Sequence, residues 1–126
     1  MADGFSGNNS FVRVHIDIPR NQGRDFSDVE TVSDCTARLS ESEHDSFASA
    51  GLTALLLEHF GESLTISPRN KFGLPDVRSM RWPIRVRFVS LDVPSQVISV
   101  HGSLEHFKGF DLLIGSRHLH RFAREF

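Results

Sequence analysis

A chain of 126 residues and 14.2 kDa has the length of one domain, and its 39% hydrophobic content, with eleven Phe and one Trp, is enough to build a packed core. That excludes a second full domain and a chain too polar to fold. Fourteen Lys and Arg against sixteen Asp and Glu leave a net charge of -2, which excludes the broad positive field of a protein that coats nucleic acid.

Residues 1–10 are rich in Gly, Ser and Asn and read as a flexible arm ahead of a single domain over 11–126. The arm has no basic stretch followed by an apolar one, and nowhere is there a run of the roughly 20 apolar residues that spans a bilayer. The expectation is an intracellular, cytoplasmic protein with no membrane partner. A lone cysteine, Cys35, fits a reducing compartment and can form no intramolecular disulfide. Asn8-Asn9-Ser10 matches the glycosylation tripeptide, a chance match in a chain without a leader.

In Phe11–Ile18 the residues Val12, Val14, Ile16 and Ile18 alternate with polar ones, which predicts a half-buried strand ended by Pro19. Asn21–Asp25 has the composition of a turn, and Val29–Ser33 predicts a short second strand leading into Asp34. Ser40 precedes Glu43 by three residues, the spacing of a capping box. A helix is predicted from there, with Phe47, Ala48, Leu52, Leu55, Leu56 and Phe60 on its apolar stripe and Gly51 as an internal end point left open. Leu64–Ile66 is a strand candidate and Pro68–Pro75 a projecting loop.

Trp82, Ile84, Val86 and Phe88 alternate with Arg85 and Arg87 in the clearest strand, and Gln96–His101 forms a second one across a turn at Pro94-Ser95. Phe110–Ile114 is short and almost continuously apolar, as in a strand buried on both faces, and Gly115 closes it. Leu119, Phe122, Ala123 and Phe126 then fall on one face of a short C-terminal helix.

The segment Phe110-Asp111-Leu112-Leu113-Ile114-Gly115, followed by a helix that carries Leu119, resembles the hydrophobic-hydrophobic-Gly box of the retropepsin-like aspartic proteases of retroviruses and retroelements. The resemblance spans about residues 11–122 and implies a mainly β fold, a small closed barrel with one middle helix and one short C-terminal helix. In that family the boxed strand packs behind the catalytic loop, so Leu113, Ile114 and Gly115 would support it. The family's Asp-Thr/Ser-Gly-Ala/Ser loop is matched here by Asp34-Cys35-Thr36-Ala37, with Asp34 as the catalytic residue and Thr36 where the family has Gly.

Two Asp34 side chains from a homodimer would then share one proton, because two carboxylates about 3 Å apart do not both ionise. One would deprotonate a water while the other polarises the peptide carbonyl of a protein substrate. The resemblance thus implies a dimeric aspartic endopeptidase that needs no cofactor, or a protein-interaction module that keeps the fold without the chemistry. The plain alternative for Asp34 is a turn or helix cap.

Other chemistry finds less footing. His118 and His120, two apart on a helix, point in different directions and chelate poorly, so the seven histidines are read as solvated and no metal is expected. Cys35 reads as a buried, unreactive thiol. Gly-rich phosphate loops are absent, and Arg78, Arg81, Arg85 and Arg87 around Trp82 read as the solvated face of a strand, not a nucleic-acid contact.

Overall fold

Alternating apolar residues at positions 14, 16 and 18, 35, 37 and 39, and 82, 84, 86 and 88 put one face of each long strand into a common interior. The computed structural model describes residues 10–20, 25–60, 80–90 and 92–123. Its elements in chain order are β1 (Ser10–Pro19), β2 (Val29–Leu39), β3 (Ser46–Ala48), α1 (Ala50–Phe60), β4 (Arg81–Phe88), β5 (Gln96–His101), β6 (Leu112–Ile114) and α2 (Ser116–Ala123).

The six strands close into a barrel in the order β1-β2-β6-β3-β5-β4, with β4 returning to pair β1. The mainly β fold with a closed barrel and two short helices is as the sequence predicts. Among the described residues closure gives every strand a neighbour on both sides over part of its length, which suits a domain with three-residue strands that could not survive alone. Val14, Ile16, Trp82, Ile84, Val86, Ile98, Val100, Leu112 and Ile114 fill the interior, and Leu56, Leu119 and Phe122 from the helices join the same cluster. Pro83 sits where β4 has a neighbour only on the β5 side, so its missing amide costs no ladder bond toward β1.

Two sequence expectations need correction. β2 does not stop at Ser33: it continues to Leu39, because Cys35, Ala37 and Leu39 keep the inward alternation going and the ladder to β1 runs with it. The Ser40–Glu43 capping box starts no helix. The Glu43 amide does donate to Ser40 Oγ at 3.3 Å, but the box closes a turn into β3, and α1 begins only at Ala50. Phe47 and Ala48 thus belong to a strand, and Gly51 to the first turn of α1. Ser10, the last residue of the predicted 1–10 arm, instead opens β1, while residues 1–9, the Leu64–Ile66 strand and the Pro68–Pro75 loop lie outside the described residues.

One irregularity in the β1–β2 ladder has a clear occupant. Ile16 faces Ser33 and Asp17 faces Thr31, so Val32 is passed over as a bulge. Beside it the buried Asp17 carboxylate accepts from Arg87 Nε at 2.6 Å, Arg85 Nε at 3.0 Å and Thr31 Oγ1 at 2.7 Å. Arg85 and Arg87 are therefore not a solvated strand face but the partners of a buried charge. Burial pushes the Asp17 carboxyl up, yet the bonds from Arg87, Thr31 and Arg85 outweigh it and hold the group below its ordinary value.

Candidate functional site

Asp34 lies in the middle of β2, opposite His15 on β1, and its side chain faces outward. Half exposed at 53%, the carboxylate accepts from Arg13 Nη2 at 2.9 Å and stands 3.9 Å from His15 Nδ1. Cys35, Thr36 and Ala37 are ladder residues too, so the expected catalytic loop over 34–37 is a strand. The physical reason is the period-2 pattern: Cys35 and Ala37 are buried on the inner face, while Asp34 and Thr36 alternate with them on the outer one. Cys35 is the buried thiol expected of it, and burial, the largest effect, raises its pKa.

The hydrophobic-hydrophobic-Gly box meets the 34–37 segment only at its end, where Asp111 N donates to Thr36 O at 2.9 Å and Leu112 pairs Ala37, and otherwise packs against the residues that follow. β6 runs parallel to the last residues of β2, Ala37 to Leu39, and antiparallel to Phe47 and Ala48 of β3. It is threaded between two strands that are consecutive in the chain. The turn joining those two strands, Ser40 to Asp45, folds over the end of β6: Ser40 N donates to Ile114 O at 3.0 Å. Beyond it, Ser116 N donates to Glu43 O at 2.7 Å and Arg117 N to His44 O at 3.1 Å. The first amides of α2, which no helical carbonyl can reach, are thus satisfied by the turn.

Gly115 makes that approach feasible. A Cβ added there would collide with the Asp45 carbonyl and lie 2.6 Å from the His44 carbonyl oxygen. Its amide donates at 3.0 Å to Ser46 Oγ, which lies 2.7 Å from Nδ1 of His118. Both side chains are buried, which corrects the reading of His118 as solvated. Burial, then the charges of Arg121 and Arg117, hold the His118 pKa down to about 4.

At the turn the chemistry is sparse. Ser40 Oγ and Ser42 Oγ are 3.1 Å apart. Asp45 accepts from Arg117 Nη1 at 3.1 Å and lies 3.9 Å from His101 Nε2. Burial pushes its carboxyl up, but the Arg117 bond and the His101 charge prevail and keep it below the ordinary value, ionised and paired.

Beside the turn a cleft of about 360 Å³ opens between Glu43, Phe47 of β3, Leu113 of β6 and the β5–β6 connection at Gly102, Ser103, Glu105 and Phe107. Leu113 is buried with its side chain toward this cleft, whereas Ile114 on the opposite face enters the core. Phe107 stacks on Phe110 with centroids 5.0 Å apart, Phe110 meets Phe11 at 5.9 Å, and the Arg38 guanidinium lies 5.8 Å from the Phe110 ring centroid. An aromatic surface therefore continues from the cleft wall to the exposed Phe11. The alternation Cys35-x-Ala37-x-Leu39 is the signal in the sequence that makes 34–37 strand and leaves the turn to 40–45. Phe107 and Glu105 had none, because a connection without periodicity does not announce what it faces.

Among the described residues no group of three His, Cys, Asp or Glu side chains could hold a metal ion, and no helix is long and apolar enough to cross a membrane. No protein-family model, curated protein or solved structure matches the chain.

Proposed function

We propose that this chain is a retropepsin-like barrel that binds a protein segment without cleaving it. The barrel type is favoured by a Leu-Leu-Ile-Gly strand threaded between two consecutive strands and followed at once by a helix. The observation that carries the loss of chemistry is Ser40. It opens the turn that packs over the boxed strand, where the resemblance implies a catalytic loop, while Asp34, the residue the resemblance makes catalytic, lies in the β2 ladder. Ser40 cannot share a proton with a twin, and Asp45, the one Asp of the same turn, is held ionised by Arg117. Asp34, on the outer wall and paired with Arg13, is an exposed ion pair of the ordinary kind.

What the site offers instead is contact. Phe47, Phe107 and Leu113 give an apolar bed, and Glu43 and Glu105 set two carboxylates on its lining. An extended segment carrying an Arg or Lys between apolar residues fits both features, with the aliphatic stem on the rings and the charge at the carboxylates. Binding of this kind needs no second subunit, so the homodimer implied by a shared carboxylate pair is not part of the proposal.

The test combines cleavage and binding. Wild type and Asp34→Asn should both leave an unfolded protein substrate intact from acidic to neutral pH, and both should sediment as monomers at micromolar concentration. Arrayed peptides with Arg or Lys between apolar residues should bind, and Phe107→Ala should weaken them about 10-fold, the loss of one well-packed aromatic contact. Cleavage by the wild type that vanishes in Asp34→Asn would restore the peptidase. Binding indifferent to Phe107→Ala and to Glu105→Lys would remove the cleft from the reading.

A further inference from the structure

Where α2 meets β4 and β5, three arginines gather around one depression without the acids to match them. Arg117 and Arg121, four apart on α2, share a helix face, and Arg81 opens β4 beside them. Together with Pro83, Ser99 and the edge of His118 they line a pocket of about 250 Å³. Among the described residues the one carboxylate that engages them is Asp45, which takes a single bond from Arg117 Nη1 at 3.1 Å. Arg121 spends Nη1 on the Val97 carbonyl at 2.8 Å, a contact that positions the guanidinium without neutralising it. Arg81 makes no ion pair among the described residues.

Three cations against one anion, in a chain whose net charge is -2, is a local excess the rest of the fold does not ask for. The other arginines of β4, Arg85 and Arg87, are consumed by Asp17. Those at the pocket keep donors to spare, and planar guanidiniums are the side chains best matched to tetrahedral oxyanions. We propose that this pocket binds a phosphate dianion, with Arg81, Arg117 and Arg121 as the charged partners and the Ser99 hydroxyl as a further donor. A concave site of this size suits one phosphoryl group. A nucleic-acid backbone would need a basic track, which an acidic chain does not provide.

The dianion has two sources, free inorganic phosphate or a phosphorylated side chain of a partner protein, and the experiment separates them. The full chain is titrated with inorganic phosphate at constant ionic strength, with chloride as the reference anion, and followed by the amide resonances of Ser99 and Arg121 and the ring resonances of His118. Saturable shifts that chloride does not produce are expected, together with a rise in the His118 pKa as the anion offsets the neighbouring guanidiniums. Arg81→Gln and Arg121→Gln, both at exposed positions, should each weaken binding about 10-fold, as expected for a lost charge-assisted pair, whereas Arg13→Gln in the β1–β2 ladder should not.

A phosphoserine peptide that binds more tightly than inorganic phosphate assigns the site to a partner's modified side chain, and equal affinity assigns it to the free ion. The proposal is overturned if phosphate gives no saturable shift beyond that of chloride, or if Arg81→Gln and Arg121→Gln bind as wild type does. It is overturned too if a single-stranded oligonucleotide binds more tightly than either phosphate probe and is lost in the same variants.

Discussion

Acid should unfasten this domain at one histidine before it reaches the carboxylates. His118 is only 4% exposed, and its Nδ1 faces Ser46 Oγ, which already accepts the Gly115 amide. A neutral ring protonated at Nε2 satisfies that arrangement, since the hydroxyl then gives its own proton to Nδ1. Protonating Nδ1 would place a buried charge beside Arg117 and Arg121, against which only Asp45 acts favourably. The folded pKa of about 4 lies below the ordinary histidine value of 6.5, so the unfolded chain binds the extra proton between those values. Stability is therefore complete above pH 6.5, declines as the pH falls, and levels off below about pH 4.

The whole interval corresponds to about 3 kcal/mol, a large part of the stability of a domain of this size. Urea unfolding at constant ionic strength between about pH 7.5 and pH 4.5 should show the midpoint falling at constant slope. In His118→Gln, which keeps an acceptor for Ser46 and has no proton to gain, most of that decline should disappear. An equal decline in wild type and variant, or a His118 imidazole resonance that titrates near its unperturbed value, would refute this account of the acid sensitivity.

Three further outcomes rest on the same geometry. Gly115→Ala should cost about 3 kcal/mol or more, because the added methyl collides with backbone carbonyls of the 40–45 turn, which cannot swing aside as a side chain would; thermal unfolding measures it, and a shift as small as that of Gly51→Ala, where the space is open, would contradict the packing. Asp17→Asn should destabilise by about 2 kcal/mol, less than a fully buried pair because Arg85 and Arg87 are partly exposed. The Asp17 carboxylate's contribution is fully present above the unfolded carboxylate pKa near 3.8 and is lost as pH falls through the lowered folded value, so the gap between wild type and Asp17→Asn should narrow on acidification below about pH 3.8. Ile114→Ala should cost about 2–5 kcal/mol in denaturant unfolding, against almost nothing for the exposed Leu104→Ala; equal effects would mean that β6 is not buried.

Period-2 alternation made β1, β4 and β5 legible almost to the residue, and the short apolar run before Gly115 gave β6 and the helix after it. The failures share a cause. Asp34 reads as the end of a strand because the resemblance makes 34–37 a loop, yet a strand with one wet face can carry a charge at its outward positions. The Ser40–Glu43 box looked like a helix start because its side-chain bond forms in turns as well. The path of the chain beyond it is decided by the long-range pairing of Phe47 with His101 and Leu113. The burial of His118 depends on Ser46, 72 residues away, a contact no local pattern encodes. The cleft was hidden likewise, since its walls come from β3, β6 and the connection before β6.

The threading of β6 also sets a schedule for folding. Ala37–Leu39 can find no neighbour on their open side until Leu112–Ile114 arrive, and β3, paired with β5 on one side, has the same residues as its partner on the other. The β1–β2 hairpin and the β4–β5 pair can form early from contacts close in sequence and join through the β1–β4 ladder, with β3 added along β5, but the sheet stays open between β2 and β3 until a late segment enters that gap. Closure is thus a single non-local event, carrying its loop-closure cost at the end. Before it the chain presents the edges of β2 and β3 to its neighbours, and afterwards β6 covers both. The rate at which one three-residue strand is captured therefore governs how long a newly made molecule is exposed to aggregation.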